Sequence, residues 1–125
     1  MSLKSIRLEL ARDAAHPEGN PEHGYEFRAP LSTDGHLDEA VWNRAKPFCT
    51  VRHFGFGDDE HGLLMRSKGG HWFFSYAIGA DDDEPLFKLS SHRFAPGEYV
   101  TITEHDHVGR TFKVVSVKDW TPTQH

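Results

Sequence analysis

The sequence is poor in the features that announce chemistry. It has one cysteine, Cys49, so no disulfide can form within the chain, and no CxxC or Cys/His finger spacing occurs. Cys49 in a β-like segment reads as a buried, apolar-like thiol and not as a nucleophile. No run of Lys or Arg is present, and the formal net charge is −5 with a pI near 6.0. That balance disfavours general affinity for nucleic acid or anionic membranes, which rests on clustered basic side chains. No apolar stretch is long enough to span a bilayer, the first residues lack an apolar leader core, and no lipidation signal is visible. A cytoplasmic setting is therefore expected. There is also no GxSxG, no Walker or Rossmann glycine pattern, no HExxH and no DxDxDG loop. These gaps tilt the reading away from an enzyme.

What is present specifies a fold. A chain of 125 residues with 37% hydrophobic and 12% aromatic content suits a single globular domain over residues 1–125. Ile6-Arg7-Leu8-Glu9-Leu10 and Tyr25-Glu26-Phe27-Arg28-Ala29 alternate as half-buried strands do. The stretch 11–24 between them, with two prolines and two glycines, reads as a mobile surface loop. Asp34 is placed to cap a short helix over 37–45, with Leu37, Val41 and Ala45 as its apolar stripe and Pro47 as its stop. Residues 48–54 look like a further strand, and residues 121–125 like a frayed tail.

Two hairpins follow. With Gly69-Gly70 as a two-residue loop, Met65 faces Phe74 and Leu63 faces Tyr76, leaving Arg66, Lys68, His71 and Phe73 on the other face. With 105–109 as a loop, Glu104 faces Arg110, Ile102 faces Phe112 and Val100 faces Val114. After Val114 the apolar phase moves to Val115 and Val117, which calls for a β-bulge or a strand end buried on both faces. Another strand is expected from Leu86 towards Phe94, with a type II turn at Pro96-Gly97. The fold class is mainly β: a small barrel or two-sheet sandwich of seven to eight short, mostly antiparallel strands with one short helix.

Few residues stand out as chemical. Among ten histidines, His105 and His107 have the closest spacing and are the candidate metal ligands. Solvated loop histidines are the commoner meaning of that pattern, and the Asp81-Asp82-Asp83 run reads first as a solvated turn. Trp72, Phe74, Tyr76, Phe94, Tyr99 and Phe112 are expected to be core and not pocket lining. Arg66, Lys68, His71 and Phe73 form the candidate interaction surface, a trace of the basic-plus-aromatic pattern of an OB-like face. The leading reading is a non-enzymatic binding or protein-interaction module with an unknown protein or small-molecule partner, no membrane and no cofactor. The alternatives are a metal-binding protein or metal-dependent enzyme holding a divalent ion on the loop histidines, and an OB-like nucleic-acid binder.

The segments Glu22-His23-Gly24-Tyr25-Glu26-Phe27, Asp34-Gly35-His36-Leu37-Asp38 through Trp42, and Pro96-Gly97-Glu98-Tyr99-Val100-Thr101-Ile102 resemble short, functionally uncharacterised proteobacterial proteins. That resemblance implies a bacterial cytosolic setting. It implies no activity, ligand or catalytic residue.

Overall fold

The computed structural model describes residues 3–12, 17–55, 60–66, 72–76, 93–103 and 109–120, together with the backbone of 84–85. They form one antiparallel sheet curled into a half-barrel, with a single short helix. The strands are β1 (Leu3–Leu10), β2 (Asn20–Ala29), β3 (Thr50–Phe54), β4 (Glu60–Arg66), β5 (Trp72–Ser75), β6 (Glu84–Pro85), β7 (Tyr99–Thr103) and β8 (Gly109–Trp120). Their order across the sheet is β6-β5-β4-β3-β2-β1-β8-β7. The first six strands are a meander. The last pair folds back so that β8 lies on the free side of β1, which leaves β2 and β3 at the centre of the sheet. Of the two expected arrangements, the curled single sheet is the barrel-like one.

Alternation decides which residues are inside. Ile6, Leu8, Tyr25, Phe27, Val51, Leu64, Phe74, Val100, Ile102, Phe112 and Val114 line the concave face and are almost wholly buried. The rings meet edge-on or tilted: Tyr25 with Phe112 at 5.1 Å, Tyr25 with Phe74 at 5.3 Å and Phe27 with Phe74 at 5.1 Å between centroids. Each such side chain contributes about 1.5–3 kcal/mol on burial, and the ring geometry adds to that. The inside of the half-barrel is therefore a packed core. Tyr99 departs from expectation. It sits on the edge strand β7 and is 51% exposed.

Helix α1 (Glu39–Ala45) lies over one end of this core. Its cap is Asp38, whose carboxylate accepts from Val41 N–H at 3.2 Å, and not Asp34. Asp34 instead closes the preceding turn, taking Ser32 Oγ–H and His36 Nδ1. Trp42 reaches from α1 to the sheet, donating Nε1–H to the Leu64 carbonyl at 3.0 Å and meeting Trp72 edge-to-face at 5.2 Å. A 3-10 turn over Lys46–Phe48, with Pro47 inside it, ends the helix and delivers Cys49 to a fully buried position.

The strand ladders correct three expectations. Strand β2 begins at Asn20, so part of the stretch expected as loop is paired. Glu9 faces Gly24 while Leu10 faces Asn20, and Pro21, Glu22 and His23 are the extra residues on β2. Gly24 is required there, because a Cβ would lie 1.9 Å from the Leu8 carbonyl oxygen. In the β4–β5 hairpin the register is one residue away from the glycine-turn reading. Leu64 faces Phe74, Met65 faces Phe73 and Arg66 faces Trp72, with 67–71 between the paired ends. A shift of one exchanges the faces, so Leu64, not Met65 or Leu63, is the buried residue. In the β7–β8 hairpin the register differs by two. Val100 faces Phe112 and Ile102 faces Arg110, and the ladder runs on through Val114 N–H to the Glu98 carbonyl. A shift of two keeps every side chain on its face, which is why alternation alone does not detect it.

Two finer expectations hold. Arg7 faces Ser116 but Leu8 faces Val114, so Val115 is the extra residue of a β-bulge. It is turned outward while Val114 and Val117 both face the core. At Pro96-Gly97 the Glu98 N–H reaches the Ala95 carbonyl at 3.0 Å with Gly97 at φ 96°, the geometry of a type II turn. The strand expected from Leu86, and Glu104 with its proposed ion pair, fall outside the described residues. No helix among the described residues is long and apolar enough to cross a membrane.

Candidate binding groove on the convex face

The same alternation that buries Tyr25, Phe27, Val51 and His53 turns Glu26, Arg28, Thr50 and Arg52 outward on the two neighbouring strands β2 and β3. Ser5 and Arg7 of β1 face Arg28 and Glu26, and His61 of β4 faces Arg52. Together Ser5, Glu26, Arg28, Thr50, Arg52 and His61 line a groove of about 420 Å³, floored by backbone at Phe27, Val51 and Gly62. That volume is in the range of small-ligand sites. A second concavity of about 430 Å³ lies beside the β8 bulge, near Arg12, Glu18, Tyr99 and Lys113.

Charge in the groove is unevenly compensated. Glu26 is shared by two guanidiniums: Arg7 Nη1 at 3.4 Å and Arg52 Nη2 in direct contact. Arg7 also holds Glu9 at 2.7 Å. The ring of Phe54 is close to both Arg7 and Arg52, 4.6 and 4.9 Å from the two guanidinium carbons. That is a cation–π arrangement. Arg28 is different. Its Nη1–H donates to Thr50 Oγ1 at 3.1 Å, and its guanidinium carbon lies 4.4 Å from the centre of the Trp120 ring on β8. Among the described residues no carboxylate pairs with it, and its Nε–H is buried with no acceptor. A buried donor left unmade costs about 1–3 kcal/mol, more where the group is charged, so the position is expensive for stability alone.

A polar seam lies inside, at the end of the half-barrel away from α1. His53 is buried, stacked on Tyr25 at 4.3 Å with 11° between the ring planes, and its Nδ1 is 3.2 Å from Glu60 Oε1 on β4. His23 lies 5.6 Å from the His53 ring and Tyr76 lies 6.1 Å from it. His53 and Glu60 are direct cross-strand partners. Three rings, of His23, Tyr25 and Tyr76, lie around His53, which is almost wholly buried, so among the described residues the seam serves to fix how β2, β3 and β4 meet. Among the described residues no group of three His, Cys, Asp or Glu side chains converges as a metal site would require.

The residues singled out from sequence fare unevenly. His105, His107, Lys68 and His71 lie outside the described residues. Arg66 and Phe73 do not share a face as expected. Arg66 is beside Trp72, 5.2 Å from its ring, and 3.4 Å from Glu39 of α1, whereas Phe73 is on the opposite face beside Met65. The one-residue register shift separates them. The groove residues were not singled out. Their outward placement was readable in Tyr25-Glu26-Phe27-Arg28 and Val51-Arg52-His53. That β8 lies beside β1 and carries Trp120 to Arg28 was not.

Comparison with protein-family models, with curated proteins and with solved structures returns no match. The groove itself thus carries the functional reading.

Proposed function

We propose that the chain is a non-enzymatic binding module whose ligand seats in the convex groove between β1 and β4. The observation that carries this reading is Arg28: a half-buried guanidinium in a concave site, held by Thr50 and Trp120, with a buried N–H that no described residue satisfies. The surroundings support it. The concave side of the sheet is occupied by the protein's own rings, whereas the groove lines strands whose register is fixed by continuous ladders. A site on such strands is preorganised and loses little entropy when filled. A cytoplasmic setting belongs to the same reading, supported by a lone buried thiol with no disulfide partner in the chain. Nucleic acid remains the less favoured partner, given the acidic balance of the chain.

The test is amide chemical-shift mapping with a panel of citrate, glycerol 3-phosphate, N-acetylglutamate, glucose and betaine. Saturable movement of residues 5, 26–28, 50–52 and 61–62 by at least one compound, with that compound recovered unchanged, is the expected result. Movement elsewhere only, no movement with any member, or conversion of the bound compound would overturn the reading.

A further inference from the structure

We infer that Arg28 anchors an oxyanion, a carboxylate or a phosphate, of a small organic ligand. This rests on the groove being the binding site. Three features of the arginine point the same way. Its charge meets no carboxylate among the described residues, while the other groove arginine, Arg52, shares Glu26 with Arg7. Its Nη1 is committed to Thr50, which leaves the Nε–Nη2 edge, with the buried Nε–H on it. That edge carries two parallel N–H groups, the fork that matches two oxygens of a carboxylate or phosphate; Nε is closed to solvent, so an oxygen reaches both prongs only when the groove wall yields slightly. Its guanidinium carbon lies over the Trp120 ring, so it cannot swing out to solvent without giving up that contact.

The rest of the groove suits an anion that is more than an inorganic ion. Ser5, Arg52 and His61 line the same space and add hydroxyl, guanidinium and imidazole donors. The groove volume of about 420 Å³ is far larger than one oxyanion group needs, which leaves room for an attached organic body. Glu26, the one carboxylate lining the groove among the described residues, is held by Arg7 and Arg52 and so is partly neutralised toward an incoming anion. Arg28, anchored at its other edge, is thus the groove guanidinium that no carboxylate among the described residues already holds.

The experiment titrates citrate and glycerol 3-phosphate separately into wild type, Arg28→Gln, Arg28→Lys, Thr50→Val and the remote control Arg44→Gln. Affinity is read by calorimetry and location by amide shifts. Wild type binds at least one probe at the groove, and the stronger of the two names the source of the oxyanion. Arg28→Gln loses at least tenfold in affinity. Arg28→Lys keeps the charge but loses the two-pronged edge and falls several-fold, and Thr50→Val, which keeps the side-chain shape, also weakens binding. Arg44→Gln binds as wild type. If a probe moves the groove amides but Arg28→Gln and Thr50→Val bind it unchanged, the anchor is refuted and the groove reading survives. If no oxyanion-bearing member of the panel moves a groove amide while glucose does, the oxyanion assignment is refuted alone. If nothing moves them, both fall.

Discussion

The β4–β5 register makes a sharp prediction, because two adjacent apolar residues exchange roles with a slip of one. Leu64 is fully buried opposite Phe74, whereas Met65 is half-buried opposite Phe73 on the other face. The Leu64 backbone bonds, from its N–H to the Cys49 carbonyl at 2.8 Å and from Trp42 Nε1–H to its own carbonyl at 3.0 Å, survive replacement by alanine. Leu64→Ala therefore removes side chain only. Its cost is the transfer of the lost carbons plus the cavity they leave, about 2–5 kcal/mol. At 125 residues, with roughly 3–5 °C per kcal/mol, a mid-range loss lowers the melting point by roughly 10–18 °C. Met65→Ala, removing a partly solvated side chain, costs about 1 kcal/mol or less by area. Urea unfolding followed by tryptophan fluorescence, with a shared slope, measures both. A Met65→Ala loss equal to or larger than that of Leu64→Ala would place Met65 inside and refute the hairpin as described.

Other consequences are open to simple assays. Burial raises the Cys49 thiol from 9.0 to about 11, so a thiol-specific reagent at pH 8 labels the native protein only as fast as the protein opens. Rapid native labelling would contradict its burial. The Ser32 hydroxyl, followed by the His36 side chain, lowers the Asp34 carboxyl from 3.8 to about 2. Because the folded value is the lower one, its contribution is complete above pH 3.8 and is lost as pH falls towards 2. A carboxyl-carbon titration midpoint near 2, absent in Asp34→Asn, checks this, and a midpoint near 3.8 contradicts it. Gly24→Ala forces a Cβ against the Leu8 carbonyl and should destabilise by about 1–3 kcal/mol or more, so an unchanged unfolding midpoint would argue against the β1–β2 bulge. The partly exposed Arg66–Glu39 pair should contribute less than about 1 kcal/mol in a double-mutant cycle.

Some of this protein is legible in its residues and some is not, for physical reasons. The bulge at Val115 shows in sequence because the apolar period of two slips after Val114, and the structure resolves the slip by turning Val115 outward and Val117 inward. The β7–β8 faces are also legible, but their register is not, since a slip of two leaves the pattern intact. The β4–β5 faces are misread because Leu63, Leu64 and Met65 are all apolar, so no polar residue marks the outward side, and Gly69-Gly70 offers an attractive tight turn. What selects the true register is β3. His53 opposite Glu60 fixes Leu64 inward, a partnership visible only after folding. The groove was hidden for a similar reason. Arg28, Thr50 and Trp120 are far apart in the chain, and the return of β8 to the side of β1 brings Trp120 over Arg28.

The most direct test of the central claim observes the Arg28 Nε–H itself. In a nitrogen-edited proton spectrum the arginine Hε resonances are resolved and can be assigned with Arg28→Lys. On saturation with whichever of citrate or glycerol 3-phosphate binds, the Arg28 Hε signal should move downfield and exchange more slowly with water, as a buried donor gaining a charged acceptor does. An Arg28 Hε signal that stays in place while the probe binds elsewhere would contradict the account.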